Sequence, residues 1–226
     1  MTDWLARWQN NKIGWHCNKV NQSLIDYLEL LQLMPGDSVF VPLCGKSIDM
    51  IYLVEMGYLV VGVELSAKGV EQFFTENNLQ YNVINIDGFS LYQSSGIKIY
   101  CGDYFSLKTS HLKDVSGVFD RASLIALEQD LREKYAKHLA DIIPLDARIL
   151  LLTLIYPQHQ MSGPPFSVSS AEVESLFNMA FKCRQLHCFN DIDNEPKFLR
   201  AGVDYVENAA YLLHTRSEKW QKEWQA

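Results

Sequence analysis

The chain has 226 residues, enough to bury one sizeable core without disulfides or metals. Hydrophobic residues make up 48% and charged residues 21%, which excludes a disordered, collagenous or coiled-coil chain. The formal net charge of -7 argues against a nucleic-acid binder, which needs a basic face to meet phosphates.

The longest apolar run, residues 149–155, falls far short of the roughly 20 residues of a membrane span. The opening MTDWLARWQNNK has an early Asp3 and no apolar core, so no signal peptide is expected. Cys17, Cys44, Cys101, Cys183 and Cys188 are an odd, scattered set, as free thiols in a reducing compartment are. A cytoplasmic protein is expected. No repeat, low-complexity tract or long Pro/Gly/Ser linker divides the chain, so a single domain over 1–226 is expected.

In chain order, Leu24, Tyr27, Leu28 and Leu31 repeat at helical spacing and predict a helix over 23–33, ended by Pro35-Gly36-Asp37. Residues 38–41 read as a short strand. Pro42-Leu43-Cys44-Gly45-Lys46-Ser47 is a loop. Ile48, Ile51, Tyr52 and Glu55 then open a second helix that Gly57 can cap. LVVGVEL, at 59–65, is β-rich and apolar on both faces in its first half, as an interior parallel strand is. Ser66 can cap the next helix, which buries Val70, Phe73 and Phe74 and ends near Asn77-Asn78. Segment 80–96 interrupts this rhythm: FSLYQ, then SSG and IKIYC, looks like a hairpin added at a sheet edge. Further strands are expected at 97–101, 118–120 and 148–156, and a helix at 131–140. Ser169-Ser170-Ala171-Glu172 has capping-box spacing and opens a helix to about Met179. Residues 181–189 and 209–214 read as late strands. Alternating strands and helices predict an α/β fold, a parallel sheet covered on both faces.

Ligands of such folds bind beyond the C-terminal ends of the strands. The first strand ends in the Pro42 loop, the second in Glu64, the third in Gly102-Asp103-Tyr104-Phe105. A carboxylate at the position of Glu64 can accept both hydroxyls of a ribose; it can also simply lead the chain into the next helix. Asp103 can accept from an adenine amino group, or serve only as a turn residue after Gly102. Gly45-Lys46-Ser47 ends like a phosphate-binding loop, but Phe40 stands where its first glycine must be, so ATP binding by that loop is rejected. The single glycine of the loop also rejects G-x-G-x-x-G. A ligand with an adenosine and no pyrophosphate remains, and S-adenosylmethionine is of that kind.

VFVPLCGKSIDM, GYLVVGVELSAKGVEQFFTENNL, GDYF, FDRASLIAL and GPPFSV, in that order, resemble the thiopurine S-methyltransferase family, its bacterial branch in particular. The leading WLARWQNNKIGWH is similar to that family's N-terminal segment, so the likeness runs from Trp4 to Leu213. The motifs are specific as a set, though no piece would suffice singly. The resemblance implies a class I methyltransferase (Rossmann-like) fold: a mostly parallel seven-stranded sheet with one antiparallel strand and helices on both faces. It implies S-adenosyl-L-methionine as methyl donor and S-adenosyl-L-homocysteine as product. The implied acceptor is a small aromatic or heterocyclic thiol such as a thiopurine, with selenium and tellurium species as further acceptors. The family's cofactor-binding positions fall on Trp8, Leu43, Glu64 and Arg121, with Asp103 and Tyr104 where the third strand end meets the adenine. Trp15 stands where relatives often carry Phe, which preserves an aromatic lid. Pro196-Lys197-Phe198-Leu199-Arg200 resembles a substrate-side stretch, which adds Lys197 and Arg200 to Trp15 and Arg121 on the acceptor side.

A thiolate is already a strong nucleophile, so positioning can supply most of the acceleration and no dedicated base is required. Arg121 would favour the thiolate; its structural alternative is an ion pair with Asp120 or a helix-capping contact. Trp4, Trp8 and Trp15 lie in a polar stretch, and so cover something: either a terminal helix packs on the sheet, or a flap of about 1–22 closes over the site. GPPF is similar to the Asn/Asp/Ser-Pro-Pro-Tyr/Phe motif of amino-group methyltransferases. It follows a later strand and lacks the polar first residue, so it reads as a rigid loop near the acceptor, and amine methylation of DNA or RNA is disfavoured. Cys183 and Cys188, with His187, have no second pair, so no metal is expected. His16 is a minor candidate for removing the acceptor's proton. Cys44 reads as a small residue that lets the backbone approach closely. The alternatives are a halide or thiocyanate methyltransferase, or a non-catalytic S-adenosylmethionine-binding protein. The expected partner is a small-molecule thiol, and the expected state a monomer.

Overall fold

The computed structural model describes residues 2–14 and 16–215. Its elements are α1 (Trp4–Gln9), α2 (Gln22–Tyr27), β1 (Ser38–Val41), α3 (Asp49–Glu55), β2 (Leu59–Glu64), α4 (Ala67–Glu76), β3 (Asn82–Ile86), β4 (Phe89–Ser94), β5 (Ile97–Cys101), α5 (Thr109–Leu112), β6 (Val115–Asp120), α6 (Ser123–Ala126), α7 (Gln129–Ile142), β7 (Arg148–Ile155), α8 (Ser170–Phe177), β8 (Phe181–Asn190), α9 (Pro196–Ala201) and β9 (Glu207–Thr215).

The strands form a nine-stranded sheet in the order β3-β4-β5-β2-β1-β6-β7-β9-β8. β5, β2, β1, β6 and β7 pair in parallel. β9 runs antiparallel to both β7 and β8. These are the expected seven strands with one reversed. β4 then returns antiparallel on β5, and β3 antiparallel on β4, which widens the sheet to nine. FSLYQ and IKIYC do form a hairpin, β4–β5; β3 is the strand that the reading of 80–96 lacked. All 5 of its residues are exposed, so no buried face marks it in the sequence.

Successive strand residues point to opposite faces, which explains the two core layers. Phe40, Val61, Val118 and Leu151 face Tyr135 and Leu139 of α7 and Val173 and Phe177 of α8. Val39, Val60, Phe119 and Leu150 face Leu24 of α2, Met50 and Leu53 of α3, and Val70 and Phe73 of α4. Each large apolar side chain so covered contributes about 1.5–3 kcal/mol.

The expected helix over 23–33 is shorter than its spacing suggests. The α-helix stops at Tyr27, and Leu28–Leu31 wind as a 3-10 turn closed by Gln32 at φ 54°. On that tighter winding residues three apart align, and Leu28 and Leu31 are both buried. Ser66 caps α4 as expected, its Oγ accepting from the Gly69 N–H at 3.2 Å. Ser169 caps α8 by accepting from the Glu172 N–H at 3.2 Å. α8 ends at Phe177 rather than near Met179.

Candidate active site

The parallel strands bring their C-terminal ends to one edge. Reading across β5, β2, β1, β6 and β7, that edge carries Asp103, Glu64, the Pro42 loop, Arg121 and the loop that holds GPPF. The chain leaves β1 for β2 on one side and later places β6 on the other. This is the switch point where α/β sheets open a crevice. At about 4.8 Å between neighbouring strands, the row spans roughly 20 Å.

The loop after β1 turns through Leu43 at φ 43° and Gly45 at φ 54°. Both angles are left-handed, where glycine is at ease and leucine is not. The Cys44 N–H donates to the Val63 carbonyl at 2.9 Å, fixing the loop on β2. The Cys44 thiol is buried; burial and the nearby Glu64 push its pKa well up, so it packs rather than reacts. Lys46 reaches across to Glu76 at 2.6 and 2.8 Å and ties the loop to the end of α4.

Glu64 closes β2 and is 7% exposed. Its Oε2 accepts from the Gly45 N–H at 2.9 Å and its Oε1 from the Ser66 N–H at 2.8 Å. Burial raises its pKa; hydrogen bonds from Ser66, Gly45, Leu65 and the Trp8 side chain oppose that rise. Trp8 itself is buried. A Cβ on Gly69 would stand 2.9–3.1 Å from the Trp8 ring, so only glycine lets α1 lie this close to α4.

Asp103 is exposed and accepts from the Phe105 N–H at 3.1 Å, capping the turn that follows β5. Tyr104 points the other way. Its ring stacks on Tyr135 at 4.8 Å, and its hydroxyl donates to the Tyr135 carbonyl at 3.3 Å. Only its main chain is left at the strand end.

Arg121 follows β6 directly. Its partner is Asp49, not the neighbouring Asp120: Nη1 donates to Asp49 Oδ2 at 2.7 Å. Burial alone would lower its pKa, but Asp49 and Cys17 together raise it. Asp120, fully buried, accepts instead from the Tyr135 hydroxyl at 2.6 Å and the Ser123 N–H at 3.1 Å. Asp49 is a residue the sequence reading missed. The signal was an acid in the first turn of the helix that follows PLCGKS.

The GPPF loop lies beside this end of the sheet. The Phe166 N–H donates to the Ile125 carbonyl at 2.7 Å, and the Tyr156 hydroxyl to the Pro165 carbonyl at 2.7 Å. Lys197 of α9 donates to the Pro164 carbonyl at 2.7 Å. Partial burial of the ammonium and the nearby Arg7 of α1 lower its pKa, against Glu195. So α9 and GPPF meet at Lys197, within reach of the charge of Arg7 on α1, whereas Arg200 in the last turn of α9 is exposed. His16 has a lowered pKa, from burial first and then the charge of Lys46. Trp15 lies outside the described residues.

His187 pairs with the Tyr27 hydroxyl at 3.1 Å, and the Cys188 thiol with Glu207 at 3.6 Å. Among the described residues no cluster of His, Cys, Asp and Glu could hold a metal ion, and no helix is long and apolar enough to cross a membrane.

Residues 1–217 match the family described as thiopurine S-methyltransferase. A thiopurine S-methyltransferase of Nitrosospira multiformis is 46% identical over 95% of this chain and 97% of its own length. Another from Pseudomonas paraeruginosa is 44% identical over 93% and 96%. Among solved structures, a SAM-dependent methyltransferase from Anabaena variabilis is 12% identical, with a TM-score of 0.65 over 94% of this chain and 93% of that one. Haemonchus contortus phosphoethanolamine N-methyltransferase 2, solved with S-adenosyl-L-methionine, is 10% identical, with a TM-score of 0.61 over 85% of this chain and 52% of that one. At such low identity these two structures speak for the fold alone.

Proposed function

Because the chain belongs to the thiopurine S-methyltransferase family and is an S-adenosylmethionine-dependent methyltransferase, we propose that it methylates the sulfur of small aromatic or heterocyclic thiols, thiopurines among them, with selenium and tellurium species as further acceptors. The carrying observation is the row of groups at the strand ends: two acids on one side of the switch point, and on the other an arginine held by a buried carboxylate.

The donor set fits S-adenosylmethionine. Ionised Glu64 is an acceptor-only group, the match for the hydroxyls of a ribose. Asp103 would accept from the adenine amino group, with the Tyr104 main chain beside it. Leu43 and Gly45 bring backbone close to the ligand, Trp8 would wall it from the α1 side, and Arg121 would meet an anionic end. When bound, the donor supplies an electrophilic methyl group on a sulfonium.

The residues on the other side would prepare the acceptor. The charge of Arg121 favours a thiolate over a thiol and holds it at the end of β6. His16, its pKa lowered by burial and Lys46, is a neutral imidazole near neutral pH and can take the proton that the thiol gives up. The GPPF loop and Lys197 would bound the acceptor, and the N-terminal segment would cover it and exclude water.

The test is methyl transfer from labelled S-adenosylmethionine to a panel led by 6-mercaptopurine, with selenite and thiocyanate alongside. S-methylated thiopurine absent from an enzyme-free control is the expected result. Product from thiocyanate alone, or from no acceptor while the donor binds, overturns the reading.

A further inference from the structure

We infer that Asp49 is a positioning residue of the methyl-transfer site: one buried carboxylate holds both the Arg121 guanidinium and the root of the N-terminal segment. The inference rests on the reading of Arg121 as an acceptor-side group. Asp49 is 0% exposed, at the start of α3. Its Oδ2 accepts from Arg121 Nη1 at 2.7 Å and from the Ser47 hydroxyl at 2.8 Å. Its Oδ1 accepts from the Asn21 N–H at 2.8 Å. Asn21 in turn caps α2, its side chain accepting from the Ser23 N–H at 2.9 Å.

These partners lie 28 and 72 positions away in the chain, so the carboxylate joins elements with no local reason to meet. A guanidinium has five N–H donors in a rigid fork. Asp49 takes one of them, at Nη1, and so restrains how the fork is turned. The arginine cannot swing away cheaply, because that would leave the buried carboxylate without its charged partner. Nor can Asn21 move without turning the same carboxylate. Seating of the N-terminal segment and aim of Arg121 are therefore one event. Cys17, in that segment, also acts on Arg121, helping Asp49 to raise its pKa.

The experiment is a double-mutant cycle on the full chain: Asp49→Asn, Arg121→Ala and the double variant, read as kcat/KM for the acceptor. Asp49→Asn keeps an acceptor for Asn21 and loses the charge that aims Arg121. Each single change is expected to lower kcat/KM by about tenfold to hundredfold, the scale of a misaimed group. The double variant should be no worse than the weaker single. Losses that multiply, or an Asp49→Asn enzyme at the wild-type level, overturn the inference. A second reading needs no turnover and serves if Arg121→Ala fails to fold. In Asp49→Ala, amide exchange at Asn21 should quicken at least about tenfold, and the Arg121 side-chain N–H signals should lose protection, with the β1 amides unchanged. Unaltered exchange at both overturns the latch. A wild-type enzyme that methylates no thiol would overturn the proposed acceptor class, and the exchange data would still decide on Asp49.

Discussion

On the proposed reading, the protonation of Glu64 would act on the fold and on the ligand in opposite senses. Burial raises its pKa above the 4.5 of an ordinary glutamate, so the folded chain keeps its proton to higher pH than the unfolded chain does. Its contribution to stability therefore falls as pH rises from 4.5 through the folded value. On the proposed reading donor binding would run the other way, because an ionised carboxylate would accept from the ribose. Affinity for S-adenosyl-L-homocysteine, measured by calorimetry, should weaken on acidification before an ordinary glutamate would titrate. Glu64→Gln should bind about tenfold to hundredfold more weakly, the worth of a charge-assisted hydrogen bond, and lose that pH dependence. A variant that binds as wild type does would remove Glu64 from the donor site. Arg121→Ala carries a separate cost: it leaves the buried Asp49 carboxylate held, among the described residues, by Ser47 and Asn21, at about 3–5 kcal/mol for a buried ion pair that loses one partner. Its melting temperature should fall, so its turnover is to be compared below that transition.

At the scale of elements, α1 depends on a missing side chain. Gly69→Ala would improve the helix propensity of α4 by about 0.5–1 kcal/mol. The new methyl group would stand 2.9–3.1 Å from the Trp8 ring, and such overpacking costs about 1–3 kcal/mol. The clash wins. Because α1 is a 6-residue helix at the edge of the molecule, it should lift rather than unfold the whole. The expected result is red-shifted tryptophan emission and weaker donor binding with little change in melting temperature; unchanged emission and affinity would show that Trp8 is not wedged there. Much of this region is legible in sequence. β1, β2 and α4 fall where their apolar runs and caps put them, since a PLCGKS turn and a Ser66 cap are local signals. What is not legible comes from contacts between distant segments. Asp120 looked like the partner of Arg121 because it is adjacent, yet successive residues at a strand end point to opposite faces. The capping-box glutamate of α8, Glu172, instead reaches Arg132 of α7 at 2.6 Å. Arg132 also holds the Leu127 and Ser167 carbonyls at 3.0 and 3.2 Å and lies over the Phe166 ring. No spacing rule announces a bond between two helices.

Across the whole molecule, the proposed reading divides the crevice edge of the sheet into an acidic and a cationic half. Acids gather at β5 and β2, and cationic groups at β6 and α9, with the glycine turn of β1 between them. Within a chain of net charge -7, that division would, on the proposed reading, place positive charge where an anionic acceptor arrives and leave the adenosine side acceptor-rich. Raising ionic strength should raise acceptor KM more than it weakens donor affinity, because on this reading the acceptor would rely on long-range attraction and the ribose on buried contacts; equal salt dependence would refute the division. The outer rim of the same sheet has a different fate. β3 ends it with Val83, Ile84 and Ile86 between 40% and 46% exposed, and Asn82–Ile86 contains no charge and no proline. Its outward N–H and C=O groups form a template, and the usual gatekeepers are missing. In a concentrated stock this strand should set the colloidal lifetime of the protein. Ile84→Lys should delay the rise in light scattering on storage without altering methyl transfer, because the edge lies two strands beyond β5, far from the crevice.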